Sequence, residues 1–115
     1  MIAVLFVRGR QKMKNILYVV IPCYNEEEVI KETAIRLKEK FEGLIQKGKI
    51  DCNSRVVFVN DGSKDNTWNI IEELHKENPL YSGINLSRNR GHQNALLAGI
   101  STVIDSADMV ISIGR

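Results

Sequence analysis

Four short apolar runs, each separated from the next by a stretch too long for a hairpin, constrain this chain more than any other feature. Ile16 to Ile21 is continuously apolar and is closed by Pro22. A run with no polar alternation suits a strand buried on both faces. Arg55 to Asn60 is a second run, β-branched and broken by Asp61-Gly62-Ser63. Tyr81 to Leu86 is a weaker third, leading into the polar turn Ser87-Arg88-Asn89-Arg90-Gly91, and Asp108 to Ile113 is the fourth. Between the runs the period changes. Ile30, Ala34, Leu37, Phe41 and Leu44 are spaced four, three, four and three apart, with charges in the gaps and Gly43 and Gly48 marking the end. That spacing predicts an amphipathic helix. Asp65 or Asn66 is placed to cap a second helix carrying Trp68, Ile71 and Leu74, which Pro79 ends. Ala95, Leu96, Gly99, Ile100, Val103 and Ile104 mark a third helix with a small-residue packing face.

The order βαβαβαβ predicts an α/β fold: a Rossmann-like, doubly wound, mostly parallel sheet with right-handed crossovers and helices on both faces. A length of 115 residues, 43% of them hydrophobic, suits one domain. Residues 14–115 are read as that domain. Residues 1–13 are an extension whose status stays open, either outside the fold or a small edge strand. Met1 to Val7 resembles a short signal core, but no basic segment precedes it and Arg8-Gly9-Arg10 stands where small residues should be.

Several function classes are disfavoured. Sixteen Lys and Arg against 14 Asp and Glu leave a net charge of +2, interspersed and without a stripe of basic and aromatic residues, so no nucleic-acid partner is expected. Cys23 and Cys52 lie far apart and outside any C-x-x-C pattern, which points to free thiols in a reducing compartment and a cytoplasmic protein. No apolar run approaches the roughly 20 residues of a membrane span. Neither G-x-G-x-x-G nor G-x-x-x-x-G-K-[ST] occurs, and no Ser-His-Asp arrangement or metal-ligand cluster can be argued from spacing.

Ligands of open α/β sheets bind beyond the carboxyl ends of the strands. Three polar loops leave strands there: Pro22-Cys23-Tyr24-Asn25-Glu26, Asp61 to Thr67, and Ser87 to Gly91. Tyr24 offers a flat face to a base, and Glu26 and Asp61 accept hydrogen bonds from base N–H or ribose hydroxyl groups. Gly62 permits a tight turn with close backbone approach. Arg88 and Arg90 suit phosphate oxygens, or equally a solvated surface turn. Asn25 and Glu26 also suit a helix start by capping and charge. Asp65 and Thr67 are read as capping groups, His92 as a cap or packing residue, His75 as solvated helix surface and Trp68 as core.

Taken in order, the three loops resemble family 2 glycosyltransferases of the GT-A type. Val20-Ile21-Pro22-Cys23-Tyr24-Asn25-Glu26 is similar to the family's first-strand motif. Val59-Asn60-Asp61-Gly62-Ser63, with Asp65 and Thr67, is similar to the second. Leu86-Ser87-Arg88-Asn89, Gly91 and Ala95 resemble the third, in the style of dolichyl-phosphate mannose synthases and bacterial polyprenyl-phosphate glucosyltransferases. The likeness covers about residues 14 to 113 and implies the N-terminal, nucleotide-binding half of a GT-A fold. It further implies a UDP- or GDP-sugar donor, a divalent metal (Mg or Mn), a polyprenyl phosphate acceptor at the cytoplasmic membrane face, and inversion at the anomeric centre. By resemblance, Pro22, Tyr24, Asn25, Glu26, Asp61, Gly62, Ser63, Arg88, Asn89 and Gly91 form the nucleotide site.

Relatives carry an Asp-x-Asp motif after the fourth of these strands, whereas here Ile113 is followed by Gly114 and Arg115. Those carboxylates hold the metal that neutralises the leaving diphosphate. Turnover and tight metal binding by these 115 residues alone are therefore not expected, and no catalytic residue is assigned. The alternatives are a non-catalytic nucleotide-binding module and a homo-oligomer that covers its own sheet face and edge.

Overall fold

The computed structural model describes residues 2–6 and 15–113. Strands β1 (Ile2–Phe6), β2 (Leu17–Cys23), β3 (Arg55–Asp61), β4 (Tyr81–Leu86) and β5 (Met109–Ile113) join in one sheet of order β1-β5-β2-β3-β4. Helices α1 (Ile30–Gln46), α2 (Thr67–Glu77) and α3 (His92–Val103) connect β2 to β5. Those four strands are parallel, as the Rossmann-like α/β expectation requires, and β1 runs antiparallel along β5. The rest of the 1–13 extension, residues 1 and 7–13, lies outside the described residues.

The chain winds outward through β2, β3 and β4, then returns across the sheet to lay β5 on the other side of β2. Strand order reverses at β2, and a doubly wound sheet opens its ligand crevice at such a reversal. The central strands run apolar without alternation because both sheet faces are covered. Leu17, Val19, Ile21 and Cys23 of β2 and Val56 and Phe58 of β3 meet Ile30, Ala34 and Phe41 of α1 and Ile70, Ile71 and Leu74 of α2. Val20, Val57 and Val59 point the other way, into a smaller core with Ala95, Val103, Ala107 and Val110. Gly99 lets α3 settle on the sheet there, since a Cβ at that position would stand 2.5 Å from Val20 Cγ1 and 2.8 Å from Val59 Cγ2.

Polar groups tie the layers together. The buried Tyr81 hydroxyl donates to the Ala34 carbonyl at 2.6 Å, fastening β4 to α1. Burial, reinforced by Glu42 and Glu77, pushes that phenol above its ordinary value and keeps it a donor. Ser54 Oγ accepts from the Leu17 N–H and Asp108 Oδ2 from the Ile16 N–H, anchoring the start of β2.

Some expectations change in detail. Pro22 lies inside β2 rather than closing it. Pairing with β5 stops at Val20 and Ser112, while pairing with β3 continues to Cys23, so proline stands where the ladder has become one-sided. Gly43 is interior to α1, and Gly48 alone ends it. At φ +72°, Gly48 donates to the Ile45 carbonyl and Lys49 donates to the Leu44 carbonyl, the paired closure of a Schellman motif. His75 is not merely solvated surface, because its Nδ1 stands 2.7 Å from the Tyr81 carbonyl oxygen and joins α2 to β4.

Candidate functional site

All three polar loops converge at the carboxyl ends of β2, β3 and β4, and each is shaped by its neighbour. Asn25 takes a left-handed φ of 51° as the chain leaves β2. Its N–H donates to Ser63 Oγ at 2.9 Å, and its Oδ1 accepts the Lys64 N–H at 2.9 Å. One residue on, the Glu26 N–H donates to Thr67 Oγ1 at 2.9 Å, and the Glu27 N–H reaches Asp65 Oδ2 at 3.3 Å. Backbone N–H groups of the first loop are thus satisfied by side chains of the second. Asp65 Oδ1 also accepts from both the N–H and the hydroxyl of buried Thr67. Burial opposes ionisation of Asp65, but the bonds from Thr67 and Glu27 prevail and hold its carboxyl below the ordinary 3.8. Asn66 is the N-cap of α2 and makes no side-chain cap bond, so Asp65 and Thr67, read from sequence as capping groups, instead clasp two loops. Asn25 and Glu26 precede α1 by several residues rather than starting it, and Val29 is its N-cap.

The second and third loops interlock more tightly. Asp61, only 3% exposed, accepts the Arg90 N–H on Oδ1 at 2.6 Å. Gly62 follows at φ +68°, and a Cβ there would lie 2.3 Å from the Asn89 nitrogen and 2.5 Å from the Arg88 carbonyl carbon. Asn60 Nδ2 donates to Asn85 Oδ1 at 2.8 Å, and Asn89 Oδ1 accepts the Gly91 N–H at 3.1 Å. Gly91, at φ +91° and ψ 152°, is the N-cap of α3, which has no side-chain cap and no acidic residue in its first turn.

These contacts shape a cleft of about 270 Å³ lined by Pro22, Cys23, Tyr24, Glu26, Asp61, Asn89, Gly91 and His92. Pro22, Cys23 and Asp61 are buried and form its floor, while Tyr24, 43% exposed, stands at its rim with Asn89 and His92. Among the described residues only Oδ1 of Asp61 has a hydrogen-bond partner, so Oδ2 is left to the cleft. A larger concavity of about 930 Å³ runs along α1 past Glu28, Lys31, Ile35, Arg36 and Glu39. One charged helix face lines it and no strand end reaches it, so the smaller cleft at the carboxyl ends of β2 and β3 is the candidate site.

Of the sequence-predicted site residues, Pro22, Tyr24, Glu26, Asp61, Asn89 and Gly91 line the cleft. Asn25, Gly62 and Ser63 instead hold the loops together, and exposed Arg88 and Arg90 contribute backbone to the interlock but no lining side chain. Cys23 and His92 line the cleft without having been singled out for it. His92 is exposed at the first position of α3 rather than packed, and its place beside Gly91 at a strand-to-helix loop was the available signal. Both cysteines are free thiols. Among the described residues no three His, Cys, Asp or Glu side chains gather as a metal-ligand set, and no helix is long and apolar enough to cross a membrane.

The sequence matches the model of the family described as "Glycosyl transferase family 2" over residues 18–105. It is 45% identical over 103 residues to "Uncharacterized glycosyltransferase YkoT" of Bacillus subtilis (strain 168), covering 90% of this chain and 31% of that protein. It is 36% identical over 94 residues to "Prophage bactoprenol glucosyl transferase homolog" of Escherichia coli (strain K12), covering 82% of this chain and 29% of that one. The chain therefore spans about three tenths of the length of these relatives. In fold it is similar to a solved "Mannosyltransferase PcManGT from Pyrobaculum calidifontis in complex with GDP-Man and Mn2+", with a TM-score of 0.56 and 22% identity over 77% of this chain and 24% of that one. A family match across most of the chain, on the parallel sheet and loop set such a match requires, establishes that this chain belongs to glycosyl transferase family 2.

Proposed function

We propose that the cleft binds the nucleoside diphosphate portion of a UDP- or GDP-sugar, and that the protein works in glycosyl transfer to a polyprenyl phosphate. The observation that carries this is Asp61: a carboxylate 3% exposed, fixed through Oδ1, with its second oxygen left to a cleft whose rim carries Tyr24. A buried acceptor held this way suits a base N–H or a sugar hydroxyl, and an exposed ring at the rim suits stacking. Pro22, Asn89 and Gly91 complete the walls, while Asn25, Gly62, Ser63 and the backbone of Arg88 hold them in register.

The name of the bactoprenol glucosyl transferase relative supports this acceptor class, and GDP-Man in the structural neighbour's complex is in keeping with a nucleotide sugar. Residues 14–115 are the nucleotide-binding domain in this proposal. A divalent metal belongs to the proposal too, as the Lewis acid that neutralises the leaving diphosphate. The described residues offer no ligand set for it, so in this proposal its ligands are carboxylates outside this cleft. These 115 residues by themselves then bind nucleotide without turning a nucleotide sugar over.

Heteronuclear NMR titration with UDP and GDP, with and without magnesium, tests this. Saturable shifts clustered at Tyr24, Glu26 and Asp61, the same with and without metal, are expected. A folded spectrum unmoved by millimolar concentrations of either nucleotide would overturn the proposal. A sugar-release assay with UDP-glucose, GDP-mannose and manganese is expected to show no turnover, and turnover by these residues would refute that part.

A further inference from the structure

The cleft is too small for a whole nucleotide sugar. Its 270 Å³ lies just under the roughly 300–1,000 Å³ of sites that enclose a drug-sized ligand. On the nucleotide reading above, the nucleoside is the part of the ligand that matches this size, with the diphosphate passing over the rim. The floor and rim differ in chemistry. Asp61, 3% exposed with Oδ2 unpartnered among the described residues, makes the floor an acceptor and repels an anion. Glu26, half-buried on the first-loop side, repels one as well.

The α3 side is the opposite. Its N-cap Gly91 has no side chain, the first turn carries no acidic residue, and the helix's first backbone bond is Ala95 N–H to the Gly91 carbonyl at 3.0 Å. The N–H groups of His92, Gln93 and Asn94 precede that bond and are open at the positive end of the helix dipole. Among the described residues that line the cleft, exposed His92 alone has a side chain able to carry positive charge, since Arg88 and Arg90 do not line it.

Resting on the nucleotide reading above, we infer that His92 and the first turn of α3 receive the diphosphate, while the floor at Asp61 receives the nucleoside. The imidazole donates an N–H to a phosphate oxygen as the α3 amides do, and it fixes the side on which the diphosphate leaves the cleft. His92 is thus a binding residue for the phosphate half of the ligand and makes no contact with the base.

The test compares UDP with uridine by calorimetry and amide shifts on the 115-residue chain and on His92→Gln, His92→Glu and His92→Lys. Because His92 is exposed, the amide spectra of all three variants are expected to overlay wild type away from residues 90–95. UDP affinity should fall a few-fold in His92→Gln and by roughly tenfold or more in His92→Glu, and hold in His92→Lys. Uridine affinity should stay within about twofold throughout. Equal losses for uridine and UDP would assign His92 a structural role and overturn the inference, as would unchanged UDP binding in His92→Glu. In both cases wild-type binding leaves the nucleotide reading intact. Wild type binding neither uridine nor UDP would remove that reading and this inference together.

Discussion

Asp61 Oδ1 accepts the backbone N–H of Arg90 at 2.6 Å, across 29 residues of sequence, and so fixes the third loop against the end of β3. The same carboxylate leaves its other oxygen to the cleft. Asp61→Asn can keep the first bond through its amide oxygen while turning the second position into a donor. We predict that Asp61→Asn stays within about 1 kcal/mol of wild-type stability but loses UDP affinity at least roughly tenfold. Asp61→Ala should lose both, at about 1–3 kcal/mol of stability, because the Arg90 N–H loses its charged acceptor. Urea unfolding beside calorimetry separates the two effects, and full UDP affinity in Asp61→Asn would reject the second oxygen as a ligand group.

Gly62 is where two loops touch through backbone. An alanine Cβ there would meet Asn89 and Arg88 main-chain atoms at 2.3–2.5 Å, on a φ of +68°. Backbone cannot step aside as a flexible side chain can, so Gly62→Ala should cost about 2–4 kcal/mol from left-handed strain and overpacking together. Gly91→Ala, with nothing within 4 Å of the added carbon, should cost about 1–3 kcal/mol from its φ and ψ alone. Denaturation midpoints of the two variants, compared at equal slope, check the order.

Gly99→Ala should destabilise by about 1–3 kcal/mol, since its Cβ meets Val20 and Val59 side chains under α3. Val20→Ala opens space at the same point. The double variant should be more stable than the sum of the single losses predicts, by about 0.5–2 kcal/mol in a thermodynamic cycle. Strict additivity would mean that α3 does not rest on Val20.

Thr67→Val removes an acceptor for the Glu26 N–H and a donor to Asp65 from a residue that is fully buried. The shapes match, so the loss is polar, about 1–3 kcal/mol. Hydrogen exchange at the Glu26 amide should speed up, and UDP affinity should drop as Glu26 and Tyr24 lose their fixed position. An unaltered Glu26 exchange rate would argue against the clasp.

Asp65 gives the clasp a pH dependence of known sign. Its carboxyl titrates below 3.8 in the fold because Thr67 and Glu27 donate to the ionised form, outweighing the opposing effect of burial. A depressed acid contributes stability that is present above the unfolded value and lost as pH falls through the folded one. The Glu27 and Thr67 amides should therefore hold their shifts down to about pH 4 and move below it. In Asp65→Asn that low-pH transition should disappear from both amides.

Much of this was legible in residue order. Continuous runs such as Ile16–Ile21 and Val56–Val59 read as strands covered on both faces, and the distances between them, too long for hairpins, pointed to helical crossovers. Boundaries were less legible where two signals overlap: Pro22 ends strands in general but continues β2 here, since the neighbouring strand has already stopped. Gly43 and Gly48 look alike in sequence, and a positive φ at Gly48 alone selected the helix end.

The site divides the same way. Apolar patterning determined which loops reach the carboxyl rim, because strand direction in a parallel sheet follows from the crossovers. It did not determine which residues in those loops face a ligand. Asn25 and Asn89 carry the same side-chain amide, yet the first bonds across the loops while the second lines the cleft. That partition depends on which donor and acceptor come within 3 Å once loop residues 29 to 39 positions apart are brought together, a distance that only the packed sheet sets. His92 was likewise a helix-start residue in sequence and became part of the cleft wall only when α3 was seated by Gly99 on Val20 and Val59.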